Sequence, residues 1–329
     1  MLAKIQLNLH TFFKGIFPKL KHFQIEGFRQ IASAIIKGRS LKISELCRNL
    51  EGDMPYKSKR NKVERFLKNK RIRISVLQKL YIKFLFIFLG LKKSKKVSIV
   101  VDYTDFLGYR VLYGGIPFQK RLFPIYFKIF SVKKKGYSLK NVETDFIRAL
   151  RNFLSYDYKY IIVADRGFGN ETFIKKCKDV GFYFVIRVKG SLYVTKNNEK
   201  IKISNISSKN NKNYNYKNHT VNIVITKKDG AVWYLFTNLE ELRNVSQIYE
   251  KRFWVEEYFR DLKTYFKARN LKYSMEVMKR LLFIGQICYN FIFKIGLEEK
   301  IETSQYSNSE LSFFPQGIFS NTILLQKIS

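Results

Sequence analysis

In the first 94 residues, apolar positions return every three or four residues, and β-branched runs are few. This spacing is typical of amphipathic helices that bury one face. Helices are predicted over residues 41–50 and 59–68, with Ser58 as the N-cap of the second. We therefore expect residues 1–94 to form an all-helical domain.

From residue 95 the apolar residues gather into short runs that are rich in β-branched side chains, which is a pattern of strands. Three antiparallel strands are predicted at residues 96–103, 108–113 and 123–130. Gly114 and Gly115 supply a hairpin turn between the second strand and the third. A helix, a strand, a helix and a strand follow, at residues 141–154, 160–164, 171–180 and 182–188. This order predicts an α/β sheet with helices on its faces over residues 95–189.

Residues 190–240 combine polar loops, rich in Asn and Lys over residues 197–217, with strand-like runs at 220–226 and 232–237. We interpret this segment as a β insertion between the last strand and the last helices of the sheet domain. Two segments complete the chain, final core helices within residues 241–298 and a weakly patterned tail over residues 299–329.

A single helix is predicted over residues 249–263, where no Gly or Pro interrupts the apolar spacing. At about 100° per residue, four polar side chains fall within about 60° of one another beside the apolar stripe, namely Tyr249, Arg252, Glu256 and Lys263. Glu257 lies about 100° away, and Glu250 and Asp261 are expected on the solvent side. The four residues fit two interpretations, a functional site at the rim of the buried face or an ordinary i,i+4 pair on a solvated flank.

The chain carries 62 Lys and Arg against 26 Asp and Glu, a formal net charge of +36. Such an excess predicts a polyanionic partner, and nucleic acid is the first candidate because phosphate neutralisation supplies most of its binding free energy. Lys59, Arg60 and Lys62 begin a predicted helix whose basic face is suited to a major groove. A helical bundle with a lysine-rich surface explains these residues equally well.

Three cysteines, Cys47, Cys177 and Cys288, lie far apart, so the sequence suggests neither a disulfide framework nor a zinc motif. The most apolar runs, at residues 80–91 and 281–293, are too short to span a bilayer. The N-terminus lacks the pattern of a cleavable signal. We therefore expect a cytoplasmic protein with no membrane partner.

Two acidic residues follow apolar runs where α/β sheets place their sites. Asp102 follows I-V-V and Asp165 follows I-I-V-A, so both are expected at the carboxyl ends of strands, as site residues or as ordinary turns and caps. With Glu256 they make three carboxylates in a chain with three histidines, a donor set for a hard divalent cation such as Mg²⁺. Two such ions would activate water and stabilise the leaving oxygen of a phosphodiester. In a chain this basic, the set predicts nucleic-acid cleavage.

The spacing Tyr249-x2-Arg252-x3-Glu256-x6-Lys263 resembles the YREK signature of bacterial insertion-sequence DDE transposases. These are the ribonuclease H-like group that cuts and pastes through a DNA hairpin. V-V-D-Y-T and V-A-D-R-G-F-G resemble the family's first and second aspartate blocks. The resemblance covers residues 96–265 and implies an α/β fold. Its ribonuclease H-like mixed sheet would be interrupted by a β insertion and preceded by an all-helical domain.

The resemblance also implies roles for the matching residues. Asp102, Asp165 and Glu256 would be the catalytic metal ligands, for two Mg²⁺ ions with Mn²⁺ as a substitute. Tyr249, Arg252 and Lys263 would hold phosphates of the DNA end, which suits their hydrogen-bond donors.

Further candidates are less sharply defined. Asp105 is the alternative first ligand, and Asp102 is preferred because it follows the strand directly. By the resemblance, Trp233 would stack on a flipped base, whereas packing in the core of the insertion is the alternative. Arg187 and Lys189 are candidates for contacts with DNA.

The resemblance implies a DNA transposase that hydrolyses one strand at its element's terminal inverted repeats. The freed 3′-hydroxyl would form a hairpin, which is reopened before the ends are joined to target DNA. We expect a homodimer on double-stranded DNA, in the bacterial cytoplasm and at the nucleoid when bound, with no small-molecule substrate. Two alternatives stay open, a ribonuclease H-like nuclease without strand transfer and an inactive transposase-derived DNA-binding protein. The chain ends soon after Lys263, so any C-terminal dimerisation element is expected to be short or missing, and a degenerate copy is an open alternative.

Overall fold

The computed structural model describes residues 2–91, 96–132 and 138–303. The chain forms two compact units, one from residues up to 81 together with those from 261 on, and the other from residues 82–260. The first is built from helices and the second around a sheet. The predicted tail lies outside the described residues from residue 304 on, and its first five residues end the last helix.

The N-terminal region is helical, as predicted. Its helices are α1 (Leu2–Ile16), α2 (His22–Gly38), α3 (Ile43–Asn49), α4 (Tyr56–Leu67) and α5 (Ile74–Phe88). Phe28 packs its ring against both Phe13 and Phe17, with 5.6 Å between ring centroids in each pair. The prediction that Ser58 is the N-cap of the helix over residues 59–68 is wrong, because α4 begins at Tyr56 and Pro55 is its N-cap. The fixed φ of proline suits a helix start.

The sheet unit starts with the predicted order of three strands, helix, strand, helix and strand. These are β1 (Lys96–Phe106), β2 (Tyr109–Phe118), β3 (Arg121–Ser131), α6 (Leu139–Phe153), β4 (Lys159–Ala164), α7 (Glu171–Asp179) and β5 (Tyr183–Val188). Spatially they run β3-β2-β1-β4-β5, antiparallel from β3 to β1 and parallel from β1 to β5. This mixed sheet confirms the predicted fold class. All of β4 after Lys159 is buried, as expected for a parallel strand covered on both faces.

The hairpin turn predicted at Gly114 and Gly115 is wrong. Both glycines lie inside β2, and the turn falls at Gln119 and Lys120, which adopt φ of 50° and 59°. A Cβ on Gly115 would lie 2.5 Å from the Cγ of Leu122, and the β2–β3 register shifts at this point. These glycines therefore permit a close approach of two strands.

The insertion extends the same sheet. Its strands are β6 (Tyr193–Lys196), β7 (Glu199–Lys202), β8 (Asn210–Tyr216), β9 (His219–Lys228) and β10 (Ala231–Thr237). β10 pairs antiparallel with β5, and β9, β8, β6 and β7 follow outward, so the described residues form one ten-stranded sheet. Prediction of residues 197–217 as loops is wrong, since β7 and β8 lie there. In β8, Asn211, Tyr214 and Tyr216 are buried while their neighbours are exposed, and this polar alternation concealed the strand.

Three further helices complete the described chain, α8 (Val245–Glu250), α9 (Trp254–Thr264) and α10 (Met275–Thr303). Cys47, Cys177 and Cys288 are buried free thiols. Among the described helices, none combines the length and apolar character that crossing a bilayer requires.

Candidate active site

Asp102 and Asp165 occupy neighbouring positions on two parallel strands. The last parallel pair between β1 and β4 is Val101 with Ala164, and each aspartate comes directly after its member of that pair. Asp165 directly follows the end of β4, as predicted, whereas β1 continues past Asp102 to Phe106 by pairing with β2. The main-chain hydrogen bonds of the sheet therefore fix the two aspartates side by side.

The single helix predicted over residues 249–263 is interrupted. α8 ends at Glu250, Lys251–Phe253 form a 3₁₀ turn, and α9 begins at Trp254. A 3₁₀ residue turns about 120° instead of about 100°, so three of them shift the buried face by about 60°.

This shift overturns two expectations about side-chain orientation. Asp261, expected on the solvent side, is 1% exposed, and it accepts a hydrogen bond from the Tyr289 hydroxyl at 3.4 Å. The apolar spacing Val255, Phe259 and Leu262 also predicts an inward-facing Phe259, whereas Tyr258 is the buried residue and Phe259 is half-buried. Glu250 does lie at the surface, where it pairs with Lys228 at 2.9 Å.

The Arg252 guanidinium is the point on which three carboxylates converge. Its Nη2 lies 3.1 Å from Oδ2 of Asp102 and 3.8 Å from Oδ2 of Asp165. Its Nη1 donates to Oε1 of Glu256 at 2.6 Å. The Arg252 side chain is 12% exposed, against 18% for Asp102, 33% for Asp165 and 56% for Glu256. Acids from three distant parts of the sequence thus share one partly buried positive charge.

Tyr249 is a buried member of this cluster. The residue is fully buried, and its hydroxyl donates to Oδ1 of Asp165 at 3.1 Å. Burial, and then the charge of Asp165, raise the pKa of Tyr249. The phenol therefore stays protonated and acts as a hydrogen-bond donor at neutral pH.

Burial and neighbouring opposite charges have opposing effects on the pKa of Asp102 and on that of Arg252. Burial raises the pKa of Asp102 against the opposing effects of Arg252 and the Tyr103 backbone N–H, which donates to Oδ1 at 2.8 Å. For Arg252, burial lowers the pKa, but the charges of Asp102 and Asp165 outweigh it and the net shift is upward. The guanidinium is therefore a fixed cation within the site.

Trp233 lies beside this cluster with 4% of its surface exposed. Its ring meets Tyr249 edge-on at 5.2 Å between centroids and Phe253 at 5.7 Å. The guanidinium of Arg187 lies 5.8 Å from the Trp233 ring centroid, and Lys189 is exposed nearby in the sequence. In this arrangement both faces of the Trp233 ring are largely covered by protein.

The other predicted residues have surroundings of their own. Asp105 binds Arg110, with 2.6 Å from its Oδ1 to Nε, so the geometry favours Asp102 as the member of the cluster. Lys263 is half-buried on α9, seven positions after Glu256. In the helical unit, Lys59 donates to the Leu50 carbonyl, Arg60 pairs with Glu64, and Lys62 is exposed.

Sequence reasoning missed two residues that support the site. Arg121, 5% exposed at the start of β3, donates to Oε2 of Glu257 at 2.7 Å and so ties α9 to the sheet. Glu143, 4% exposed on α6, accepts hydrogen bonds from Tyr103 and Asn170. Arg121 did carry a signal, since it is the one charged residue at the head of the run R-L-F-P-I-Y-F.

By donor type, Asp102, Asp165 and Glu256 suit a hard divalent cation, because carboxylate oxygens are its preferred ligands. Among the described residues, no group of three or more His, Cys, Asp or Glu side chains is placed to hold a metal ion. The Arg252 guanidinium lies within 3.8 Å of an oxygen of each of these carboxylates. A divalent cation would have to compete with Arg252 for the same oxygens.

Comparisons with known proteins find a matching family model and similar solved structures. A family model described as a transposase DDE domain matches residues 123–291, which include Asp165 and Glu256 and leave Asp102 outside. The cryo-EM structure of the piggyBac transposase synaptic complex with hairpin DNA is similar with a TM-score of 0.47 and 13% identity, over 96% of this chain and 77% of that chain. A search of curated proteins finds no match.

Proposed function

The chain belongs to the transposase DDE domain family, and we propose that it cuts the ends of its own insertion sequence and joins them to target DNA. One observation carries this proposal: Asp102, Asp165 and Glu256 converge within 3.8 Å of a single guanidinium. In the proposed route, one strand is hydrolysed, its 3′-hydroxyl attacks the opposite strand to form a hairpin, and the reopened end attacks target DNA. Water and then the 3′-hydroxyl are the nucleophiles, so no protein nucleophile is required.

Asp102, Asp165 and Glu256 would hold Mg²⁺, as two ions in the proposed mechanism, with Mn²⁺ as a substitute. Bound there, the metal supplies Lewis-acid stabilisation of the attacking and leaving oxygens. Around it, the sheet holds Asp102 and Asp165 in register, and the Tyr249 hydroxyl orients one carboxylate oxygen of Asp165.

Arg252 would pass from the carboxylates to a phosphate of the DNA end. Its Nε is buried with no hydrogen-bond partner among the described residues, and a buried unpaired donor costs about 1–3 kcal/mol. A phosphate oxygen satisfies such a donor, and a guanidinium binds phosphate through two parallel bonds. Lys263, and Tyr249 through its hydroxyl, complete the proposed phosphate contacts of the signature.

We assign recognition of the terminal inverted repeats to the helical region over residues 1–94 and to the insertion over residues 190–240, with Lys59, Arg60, Lys62, Arg187 and Lys189 as candidate contacts. The net charge of +36 supports a double-stranded DNA partner. Because two ends are processed together in such a reaction, the active species would be a homodimer on DNA. Its place would be the bacterial nucleoid.

The test is cleavage of a labelled duplex that carries the end of the encoding element, with Mg²⁺ or with EDTA. We expect wild type to produce a nick that matures into a hairpin, whereas Asp165→Asn and Glu256→Gln lower the cleavage rate at least about a thousandfold and still bind the duplex. Glu250→Gln is the matched control, because Glu250 is a surface acid that pairs with Lys228. Normal cleavage by either site variant would refute the assignment.

Strand transfer separates the remaining alternatives. Pre-cut ends with a 3′-hydroxyl are incubated with target plasmid, and joined products are counted. Cleavage without joining would identify a nuclease, and DNA binding without either activity would identify an inactive DNA-binding protein.

A further inference from the structure

Glu143 is a buried carboxylate on the opposite side of β1 from Asp102. It lies on α6 and is 4% exposed. Successive strand residues point to opposite faces of a sheet, so Tyr103 turns toward α6 while Asp102 turns toward Arg252. Glu143 therefore contacts the structure that carries the aspartates and not the aspartates themselves.

Two neutral donors hold the Glu143 carboxylate. The Tyr103 hydroxyl donates to Oε1 at 3.2 Å, and the Asn170 side-chain amide donates to Oε2 at 3.3 Å. Burial raises the pKa of Glu143, and the hydrogen bonds from Asn170 and Tyr103 oppose that rise. An acid buried between neutral donors is costly for stability.

Each residue that contacts Glu143 belongs to the segment of one of the two aspartates. Tyr103 directly follows Asp102, and Asn170 ends the short turn that begins after Asp165. Within that turn, the Phe168 ring stacks on the Tyr103 ring at 5.2 Å between centroids and 9° between planes. The carboxylate thus closes a bridge between the two aspartate segments.

We propose that Glu143 is a positioning residue that sets the separation of Asp102 and Asp165 by tying Tyr103 to Asn170. This inference rests on the proposed metal site. A carboxylate suits the position because both of its oxygens accept, whereas a carboxamide turns one acceptor into a donor. Asn170 cannot compensate by rotating, since its Oδ1 accepts from the Phe173 backbone N–H at 3.0 Å and caps α7. The Tyr103 hydroxyl could accept from the new amide, but its O–H would then lose the acceptor that Glu143 provides.

The test is binding of Mn²⁺ to the full chain in complex with the element-end duplex, whose phosphate is proposed to draw Arg252 away from the carboxylates. Binding is followed by electron paramagnetic resonance, with the duplex alone as the blank. We expect Glu143→Gln to weaken Mn²⁺ binding about tenfold, in the range found when partners that orient metal ligands are removed. Asp145→Asn is the matched control, because Asp145 lies on the same helix and pairs at the surface with Lys128 and Arg148. It should bind Mn²⁺ like wild type.

Tyr103→Phe supplies a second, milder variant, since it removes the hydroxyl and keeps the ring stacked on Phe168. It should weaken Mn²⁺ binding severalfold, and the double variant should bind no more weakly than Glu143→Gln alone, because both changes break the same bridge. Wild-type affinity in folded Glu143→Gln would overturn the inference, and if that variant does not fold, wild-type affinity in Tyr103→Phe would do so. If wild type fails to bind Mn²⁺, or if Asp165→Asn binds it equally well, the proposed metal site itself falls and takes the role of Glu143 with it.

Discussion

The three carboxylates of the proposed site are held in two different ways. Asp102 and Asp165 directly follow the last parallel pair between β1 and β4, two strands whose main-chain hydrogen bonds set their register. Glu256 lies on α9, after a 3₁₀ turn, and its 56% exposed side chain depends on contacts made by other side chains. The strand-borne half is therefore fixed by the backbone, whereas the helix-borne half is placed by packing and charge. Substitutions of single side chains should move the second half far more easily than the first.

The largest expected effect comes from Trp233→Ala. Trp233 packs on Tyr249 and Phe253 beside the helix-borne half, and truncation of a buried tryptophan costs about 3–5 kcal/mol. We expect the free energy of unfolding, measured with urea, to fall by this amount, while Phe253→Ala, at a residue 38% exposed, costs less. Unchanged stability, with loss of the fluorescence signal from 2-aminopurine placed at the flipped position, would instead support the role of Trp233 as a receiver of the base.

A smaller effect is expected from Arg121→Leu, which removes the ion pair to Glu257. We expect the free energy of unfolding to fall by about 2 kcal/mol. This is less than the roughly 3–5 kcal/mol lost when a fully buried ion pair is broken, because water can still reach Glu257. Arg148→Leu is the control, since it breaks a surface pair with Asp145 and should cost less than about 1 kcal/mol. Equal melting temperatures for the two variants would mean that α9 does not depend on this contact.

The smallest effect concerns the strand-borne half, and it depends on pH. Burial raises the pKa of Asp102 above its usual 3.8, so the contribution of Asp102 to stability is fully present below that value and is lost as the pH rises through its value in the folded protein. In EDTA, the melting temperature of wild type should therefore fall relative to that of Asp102→Asn as the pH is raised from 4 to 7. A constant difference over this range would show that Arg252 cancels the cost of burial.

Sequence patterns predicted the strand-borne half well because it rests on local chemistry. Compact β-branched runs define β1 and β4. The acid that directly follows each run therefore lies at the equivalent register position of the two parallel strands. The helix-borne half was predicted less well. Tyr249, Arg252 and Glu256 come together with the two aspartates, but no local signal at Lys251–Phe253 marks the 3₁₀ turn that brings Asp261 inside.

Contacts between distant segments explain the other differences. Glycine pairs usually mark turns, so the close approach of β2 and β3 at Gly115 was visible only once Leu122 lay opposite. Arg121 pairs with Glu257, which lies 136 positions away along the chain. Glu143 contacts Tyr103 and Asn170, which lie 40 and 27 positions away. Helical or strand periodicity carries no information about such pairs.

The continuation of the sheet from β5 into β10 has a consequence for self-association. An exposed strand margin offers unpaired N–H and C=O groups to another chain, and β5, whose sequence is Y-F-V-I-R-V, would be an aggregation-prone template if it were left open. Pairing with β10 covers this edge and makes β7 the outer strand on that side. β7 is only four residues long, and three of its four residues, E-K-I-K, are charged. Through its hydrogen bonds, the insertion thus keeps β5 from pairing edge to edge with another copy of the chain, whatever its contacts with DNA contribute.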